Sequence, residues 1–264
     1  MLPFNLSKQL ELSEINMVTS RLRALQQISN NELGVNITQF GNATAFSING
    51  IPGPAYNTVK GLTDAEEHLL DEIFFHYAAK KIPIQLEIVP GHVSSRLLSK
   101  LPNYGVSHKD FHTTLFSSGS KPTIHKLNSH VNITELTVEQ FHLYGEIYVK
   151  AFNMPTSFKE AVSGNNIILH GLEGWKFYLA TIEEKPVGVG VLHIHHHVAT
   201  LAVAATLPEK RDKGIHTSLI YERIYDALGS GAQLICGQAK YGSVSHYNMH
   251  KLGLQVAYTK ALWS

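Results

Sequence analysis

The residues best suited to chemistry lie in one stretch, residues 198–220, which reads VATLAVAATLPEKRDKGIHTSLI. An apolar strand ends there at Pro208, a charged loop follows, and Gly214 opens an amphipathic helix. The first N–H groups of a helix have no partners within it, and the helix dipole favours negative charge at that end. Arg211 and Lys213 add positive charge beside a glycine that lets a ligand approach the backbone. The stretch therefore predicts a binding site for an anion such as a pyrophosphate.

Histidine is the second notable residue type: the chain has 16, and His193, His195, His196 and His197 stand almost together. Alternate residues of a strand share a face, so His193 and His195 can point together and bind Zn²⁺ or Ni²⁺. Few carboxylates stand nearby to complete a ligand set, so we expect a hairpin tip and no metal. His197, at the beginning of strand 198–207, is our candidate general base, because imidazole is a common proton acceptor in enzymes, and an exposed hairpin residue is the alternative interpretation.

The elements that must position these residues follow from hydrophobic periodicity and turn signals. In the first half the sequence predicts helix 8–30, a hairpin of strands 35–40 and 43–48, helix 64–80 with a Thr63/Glu66 capping box, strand 84–89, helix 92–101 and strand 111–117. In the second half it predicts helix 136–152, strands 176–182, 187–194 and 198–207, helix 216–228, strand 233–236, helix 244–252 and strand 255–263.

The two halves repeat the order helix, strand, helix, strand, which indicates two related lobes. The segment 117–126, SSGSKPTIHK, is dense in Ser, Gly and Pro and is the best linker candidate. We therefore predict two domains, residues 1–120 and residues 127–264.

Composition excludes several classes of protein. The 264 residues carry 22 Lys+Arg against 21 Asp+Glu, a balance that argues against a nucleic-acid binder. The single cysteine, Cys236, excludes an internal disulfide and a cysteine-based zinc site, and its apolar surroundings favour an inert buried thiol. No export signal and no apolar run of about 20 residues is visible, so we expect a cytoplasmic protein without membrane contact.

Residues 207–216, LPEKRDKGIH, resemble the acetyl-CoA signature of the GCN5-related N-acetyltransferase (GNAT) superfamily. That signature is a Val/Leu-x-Pro strand end followed by Arg/Gln-x-x-Gly-x-Gly/Ala. The family continues with a strand, a helix ending in Lys-Leu-Gly-Phe and a final strand. Here strand 233–236, MHKLGL at 249–254 and strand 255–263 are similar, so the resemblance covers about residues 131–264.

The resemblance implies an α+β fold of two GNAT-like lobes, each a mixed, mostly antiparallel sheet flanked by helices. Residues 1–120 are then a degenerate lobe that shapes the substrate pocket, and residues 127–264 the acetyl-CoA-binding domain.

The activity implied is direct transfer of an acetyl group from acetyl-CoA to a primary amine of a small molecule or peptide, in a ternary complex. Acetyl-CoA is then a cosubstrate and no metal is expected. The pantetheine arm would pair with strand 201–207, and a free N–H near 204–206 would stabilise the oxyanion. The oligomeric state stays open. The cofactor-binding residues implied are Ala205, Thr206, Leu207, Arg211, Asp212, Lys213, Gly214, Ile215, His216 and Thr217.

Two residues depart from the family pattern. His216 replaces the small third residue of the loop, where its imidazole can donate to a phosphate instead. Met249 stands where many members have the tyrosine that protonates the leaving thiolate, and a thioether cannot donate a proton. His246, three residues earlier on the same side of the helix, is our candidate general acid. A water-bound histidine at the helix start is the alternative.

The departures keep two other functions open. One is a non-catalytic acyl-CoA-binding protein, and the other is a metal-binding or structural module built on the histidine hairpin. In the first lobe, Glu87 in an apolar strand is either a second candidate base or half of a structural pair. Asn57 lies in a Gly/Pro-rich loop that either caps a substrate cleft or simply turns the chain.

Overall fold

A computed structural model describes residues 4–51, 53–119, 122 and 127–264. The chain forms two compact units, one of Met1–Thr114 with Ala257–Ser264 and the other of Leu115–Val256. The architecture is the mixed α+β fold expected from the sequence. Most of the predicted linker 117–126 lies outside the described residues, which omit 120, 121 and 123–126.

Among the described residues, the first unit is built from three α-helices and most of six strands. The helices are α1 (Phe4–Gln26), α2 (Leu70–Lys80) and α3 (Ser95–Lys100). The strands are β1 (Asn36–Phe40), β2 (Ala43–Ser47), β3 (Thr58–Lys60), β4 (Gln85–Ile88), β5 (His108–Ser117) and, from the end of the chain, β11 (Gln255–Trp263).

The strand order in this unit is β1-β2-β3-β4-β11-β5. Neighbouring strands β1 to β3 are antiparallel, β3 and β4 are parallel, and β11 runs antiparallel to β4. The predicted capping box is present, because Thr63 accepts from the Ala65 N–H and Glu66 accepts from the Thr63 N–H. One apolar core joins this sheet to α2 and α3 through residues such as Val59, Ile73 and Leu97.

A closed network of charges is buried within this unit. Lys260 Nζ lies 2.7 Å from Glu14 Oε2 and 2.5 Å from Glu87 Oε2, and Lys60 Nζ lies 2.7 Å from Glu14 and 2.6 Å from Glu87. Burial alone would raise the pKa of Glu87, but Lys260 and Lys60 outweigh it and hold that pKa well below its ordinary range. Two cations and two carboxylates therefore neutralise one another.

The described part of the second unit contains four α-helices and five further strands. The helices are α4 (Phe141–Ala151), α5 (Lys159–Ile167), α6 (Ile215–Gly229) and α7 (Val244–Lys251). The strands are β6 (Asn132–Glu135), β7 (Trp175–Ile182), β8 (Lys185–His195), β9 (Val198–Thr206) and β10 (Leu234–Lys240).

The strand order here is β10-β9-β8-β7-β6, antiparallel except for the parallel pair β9 and β10. Helices α6 and α7 cover one face through an apolar cluster that includes Leu219, Ile224, Met249 and Leu252. This arrangement places the end of β9, the start of α6 and one side of α7 close together.

The predicted boundary of the second domain, residue 264, differs from the observed unit. Ala257–Ser264 belong to the first unit, because Ala261–Trp263 pair with Leu86–Ile88 of β4. Sequence patterns also missed β3, β6 and α5. The two strands are only three and four residues long, and α5 has the weak apolar pattern KEAVSGNNI, so neither kind of element gave a periodic signal.

Candidate functional site

The start of α6 presents backbone donors that the chain itself does not satisfy by a side-chain cap. The preceding residue, Gly214, adopts a left-handed conformation with φ 76°, which a glycine adopts without strain, and no side chain caps the helix. Ser218 N–H makes the first intrahelical bond, 2.9 Å from Gly214 O. The N–H groups at the start of α6 that precede Ser218 therefore have no partner within the helix.

A cavity of about 620 Å³ opens at this helix start, within the usual range for a ligand pocket. Three cationic side chains, Lys210, Arg211 and Lys251, line it with a single carboxylate, that of Asp212. The other lining residues are Ala151, Phe152, Ala204, Ala205, Thr206, Gly214, Ile215, His216, Thr217, Val244, Ser245 and Asn248. The pocket is therefore positively charged and has an apolar wall.

The open edge of β9 forms one wall of this pocket. Its parallel pairing with β10 covers Val198 to Leu201 only, although β9 continues to Thr206. Residues 198–201 are buried, whereas residues 202–204 are half-buried because β10 no longer covers them.

The hydrogen-bond pattern shows which backbone groups face that open edge. Leu207 N–H donates to Val187 O on the β8 side, at 3.0 Å. Backbone groups alternate between the two sides of a strand, so Ala205 also faces β8. Ala204 and Thr206 therefore direct their N–H and C=O groups away from β8, toward the pocket.

His216 is a neutral imidazole whose tautomer is fixed by a hydrogen bond. Asn248 Nδ2 lies 3.0 Å from His216 Nδ1, and since an amide nitrogen only donates, Nδ1 accepts and Nε2 carries the proton. Burial, and secondly the charge of Arg223, lower the pKa of His216 to about 4. The imidazole that replaces a small residue in the loop thus supplies an N–H donor at neutral pH.

Arg211 and Lys213 have different surroundings from those expected for two free phosphate ligands. Arg211 Nη2 donates to Ala151 O at the end of α4, at 2.7 Å, while the side chain still lines the pocket. Lys213 is exposed and does not line the cavity, and Asn128 Nδ2 donates to its carbonyl at 2.9 Å. Arg211 therefore joins the loop to α4, and the positive charge of Lys213 acts from the rim.

The structure places the other predicted cofactor-binding residues as follows. Ala205, Thr206, Asp212, Gly214, Ile215, His216 and Thr217 line the pocket, whereas Leu207 does not. Sequence analysis missed Phe152, Asn248 and Lys251. A spacing of three or four residues places Val244, Ser245, Asn248 and Lys251 on one side of α7, and this was the available signal. No sequence signal pointed to Phe152, because it follows α4 and shares no spacing with the residues of α7.

Neither predicted catalytic histidine lines the pocket. His246 Nδ1 accepts from the Gly242 N–H at 3.1 Å, so it stabilises the turn before α7. His197 is exposed in the turn before β9, eight residues from Ala205, which at about 3.3 Å per residue is roughly 25 Å away. This distance excludes it as a base acting directly at the pocket.

Met249 belongs to the apolar core. Its side chain is 2% exposed, and a Cβ built on Gly237 would come within 2.6 Å of its sulfur. The helix therefore packs directly on β10 at this glycine. No tyrosine lines the described pocket, so the phenol expected in the family has no substitute at this place.

The remaining candidates from the sequence, Glu87, Asn57 and Cys236, make contacts that stabilise the fold. Glu87 belongs to the buried charge network, and Asn57 accepts from the Ile48 N–H and donates to Gly53 O. Cys236 is buried, and its Sγ lies 3.5 Å from Thr200 Oγ1.

The histidine hairpin holds one buried and three exposed rings. His193 packs on Trp175 at a centroid distance of 4.6 Å, while His195, His196 and His197 are exposed. Within the described ranges, no group of three or more His, Cys, Asp or Glu side chains could hold a metal ion. Over the same part of the chain, no helix combines the length and apolarity needed to cross a membrane.

Known structures share this architecture. A GCN5-related N-acetyltransferase from Kribbella flavida superposes with a TM-score of 0.66 at 14% identity, covering 92% of this chain and 94% of its own. One from Sphaerobacter thermophilus gives 0.61 at 13% identity, covering 86% and 81%. A tandem GNAT protein from the clavulanic acid biosynthesis pathway gives 0.60 at 10% identity, covering 84% and 77%.

Sequence comparison adds nothing to this likeness, since no family model matches the chain and no curated protein is similar to it. Structural likeness at such low identity concerns the fold. The fold of this chain is that of the GCN5-related N-acetyltransferases, as the motif at residues 207–216 predicts.

Proposed function

We propose that the second unit binds an acyl-CoA and transfers its acyl group, an acetyl group in the simplest case, to a primary amine of a small molecule or peptide. The observation that carries this proposal is the pocket itself, which joins an uncapped helix start to an unpaired strand edge. A pyrophosphate needs the first feature, and an extended amide-containing arm needs the second.

The residues present fit such a ligand. The N–H groups at the start of α6 and Nε2–H of His216 are donors for phosphate oxygens, with Lys210 and Lys251 adding positive charge. His216 does not close the site, because the cavity beside it still measures about 620 Å³. The backbone of Ala204 and Thr206 offers both donors and acceptors to the amides of a pantetheine arm.

The chain's contribution to the reaction is mainly electrostatic. A bound acyl-CoA supplies a thioester carbonyl and a thiolate leaving group. The N–H of Ala204 or Thr206 would stabilise the oxyanion as the amine forms the new C–N bond and the C–S bond breaks. Removing one such donor costs about 3–4 kcal/mol in other enzymes, so this backbone contribution is large.

A non-catalytic acyl-CoA-binding protein is the second candidate, and one observation favours it. Met249 is buried in the core, His246 is engaged by Gly242, and the described pocket contains no phenol. Binding does not need a proton donor, whereas efficient release of the thiolate is helped by one.

Calorimetry with acetyl-CoA tests binding, and a thiol-release assay across a panel of amines separates the two candidates. Gly214→Asp places a carboxylate at the helix start and should weaken acetyl-CoA binding by about 100-fold, because it repels the phosphates. Gly231→Asp is the matched control, since Gly231 has φ 80° and open space around it at the other end of α6.

Unchanged affinity in Gly214→Asp would contradict the site. No binding of acetyl-CoA to the wild-type protein at millimolar concentration would contradict the function. Tight binding with no thiol release for any amine would favour the non-catalytic candidate.

A further inference from the structure

Strand β9 changes sides in the middle. His197 O, just before the strand, accepts from Gln233 N–H and Leu234 N–H on the β10 side, whereas Leu207 N–H donates to β8. Both positions are odd-numbered, so an uninterrupted strand would direct them to the same side.

A β-bulge explains the change. In the pairing with β8, Leu192 opposes Leu201 and Val191 opposes Val203, so Ala202 has no partner. The extra residue reverses the alternation. Without the bulge, Val203 and Ala205 would face the pocket instead of Ala204 and Thr206. The bulge therefore decides which backbone groups a ligand meets.

A buried arginine donates to the two facing carbonyls beside the bulge. Arg223 Nη1 lies 2.9 Å from Val203 O and 3.1 Å from Val191 O, while its Nε donates to Leu219 O at 2.9 Å. Arg223 is 2% exposed. A single guanidinium on α6 thus bridges both strands at the position where their register shifts.

Burying the charge of Arg223 costs desolvation free energy. Within the described part of the chain no carboxylate pairs with it, and it donates to the neutral carbonyls of Leu219, Val191 and Val203. Burial lowers the pKa of Arg223 to about 10, which still leaves it charged at neutral pH. An apolar side chain on a regular strand would avoid the desolvation cost, so the charge is better explained by the bulge that it stabilises.

We propose that Arg223 is a positioning residue that holds the β9 bulge and so turns the N–H groups of Ala204 and Thr206 toward the acyl-CoA. This inference rests on the proposed function for its ligand. It does not rest on that function for the bulge itself, which can be measured in the free protein.

The test compares Arg223→Met, Arg223→Lys and deletion of Ala202 with the wild type. Methionine fills similar space but donates to neither carbonyl, lysine restores a cationic donor, and the deletion removes the extra residue while Arg223 stays. Lys176→Met is the control, because Lys176 is a half-buried cation of the same unit whose ammonium lies 3.6 Å from the carboxylate of Asp226.

In the free wild-type protein, amide exchange followed by NMR should be slow for Ala205 and fast for Ala204 and Thr206, and acetyl-CoA should protect the fast pair. Arg223→Met and the Ala202 deletion should abolish this pattern. Both should weaken acetyl-CoA binding at least about tenfold and lower kcat by about 100-fold, as loss of an oxyanion donor does. KM for the amine should change little. Arg223→Lys should recover most of both effects.

The outcomes separate this inference from the proposed function. If the wild type binds acetyl-CoA and both Arg223→Met and the deletion bind it equally well, the inference is wrong and the function stands. If the wild type does not bind acetyl-CoA, the function is wrong, and the exchange pattern in Arg223→Met still decides whether the arginine holds the bulge. Should Arg223→Met fail to fold, the deletion and Arg223→Lys give the same decision.

Discussion

The two units differ in how their buried charges are compensated. In the first unit, Glu14, Glu87, Lys60 and Lys260 satisfy one another in a closed network. In the second unit, the start of α6 and the edge of β9 leave backbone groups open, and the buried charge of Arg223 rests on carbonyls alone.

The difference indicates where a ligand can act. A network that is complete within the protein gains nothing from a ligand and contributes to stability and specificity of the fold. Open donors in a positively charged pocket gain hydrogen bonds only when an anion arrives. Charge burial alone therefore does not mark the site, whereas unsatisfied backbone donors beside a cavity do.

The largest expected effect is a loss of stability when the charge network of the first unit is broken. Lys260→Met should lower the free energy of unfolding by about 3–5 kcal/mol, because Glu14 and Glu87 keep buried charges with only Lys60 to balance them. Denaturant unfolding followed by circular dichroism measures this.

Lys109→Met, at an exposed lysine of the same unit, is the control for removing a cation. Acetyl-CoA affinity of folded Lys260→Met should equal that of the wild type. A loss of affinity matching that of Gly214→Asp would end the distinction between a structural and a ligand-binding unit.

Acid should weaken the same network. The pKa values of Glu14 and Glu87 lie below their ordinary value of 4.5. Burial alone would raise these pKa values, but the charges of Lys260 and Lys60 together outweigh burial and lower them. A carboxylate with a depressed pKa contributes stability above its unfolded value and loses it as the pH falls through the folded value. Stability should therefore fall below pH 4.5, and Glu87→Gln should remove about 2 kcal/mol of this pH dependence.

Urea unfolding at a series of pH values measures that dependence. The same slope below pH 4.5 in wild type and Glu87→Gln would show that other carboxylates dominate acid unfolding.

In the second unit, Asn248→Asp tests the fixed imidazole. A carboxylate at this position accepts from Nδ1 instead of donating to it, so it reverses the tautomer and favours the imidazolium. It also brings negative charge to a pocket for an anion. Acetyl-CoA affinity should fall about tenfold, which is about 1.4 kcal/mol.

NMR titration should show the pKa of His216 above its wild-type value of about 4. Asn248→Ser keeps the size small and adds no charge, so it separates the tautomer from electrostatic repulsion. Equal affinities of Asn248→Asp and wild type would remove His216 from the binding site.

The smallest expected effect is the loss of stability when the capped turn before α2 loses its cap, which provides a comparison with the uncapped start of α6. Thr63→Ala removes the cap of the turn that leads into α2 and should cost about 1 kcal/mol of stability, with no change in acetyl-CoA affinity. Thermal unfolding with and without acetyl-CoA measures both quantities, and Thr63→Ser, which keeps the hydroxyl, should behave as wild type. A change in affinity would contradict the view that only the uncapped start of α6 serves a ligand.

Local sequence patterns predicted most long elements well. The hairpin at residues 41–42, the capping box at Thr63 and the strand Gln255–Trp263 follow the prediction closely, because turn chemistry and alternation depend on neighbouring residues. The anion loop at Gly214 was found for the same reason. His197 and His246, the two histidines predicted to be catalytic, do not line the pocket, because their positions relative to it depend on how whole elements pack.

The sequence by itself determined most of the long helices and strands, the loop that resembles the acetyl-CoA signature and the replacements His216 and Met249, since all of these are local. Only the tertiary structure decided that Ala257–Ser264 complete the first unit, that Met249 is core and that His197 lies far from the pocket. It also decided that the bulge at Ala202, held by Arg223, sets the side to which the edge of β9 points. Register and burial arise from contacts between residues distant in the chain, and no spacing within one element encodes them.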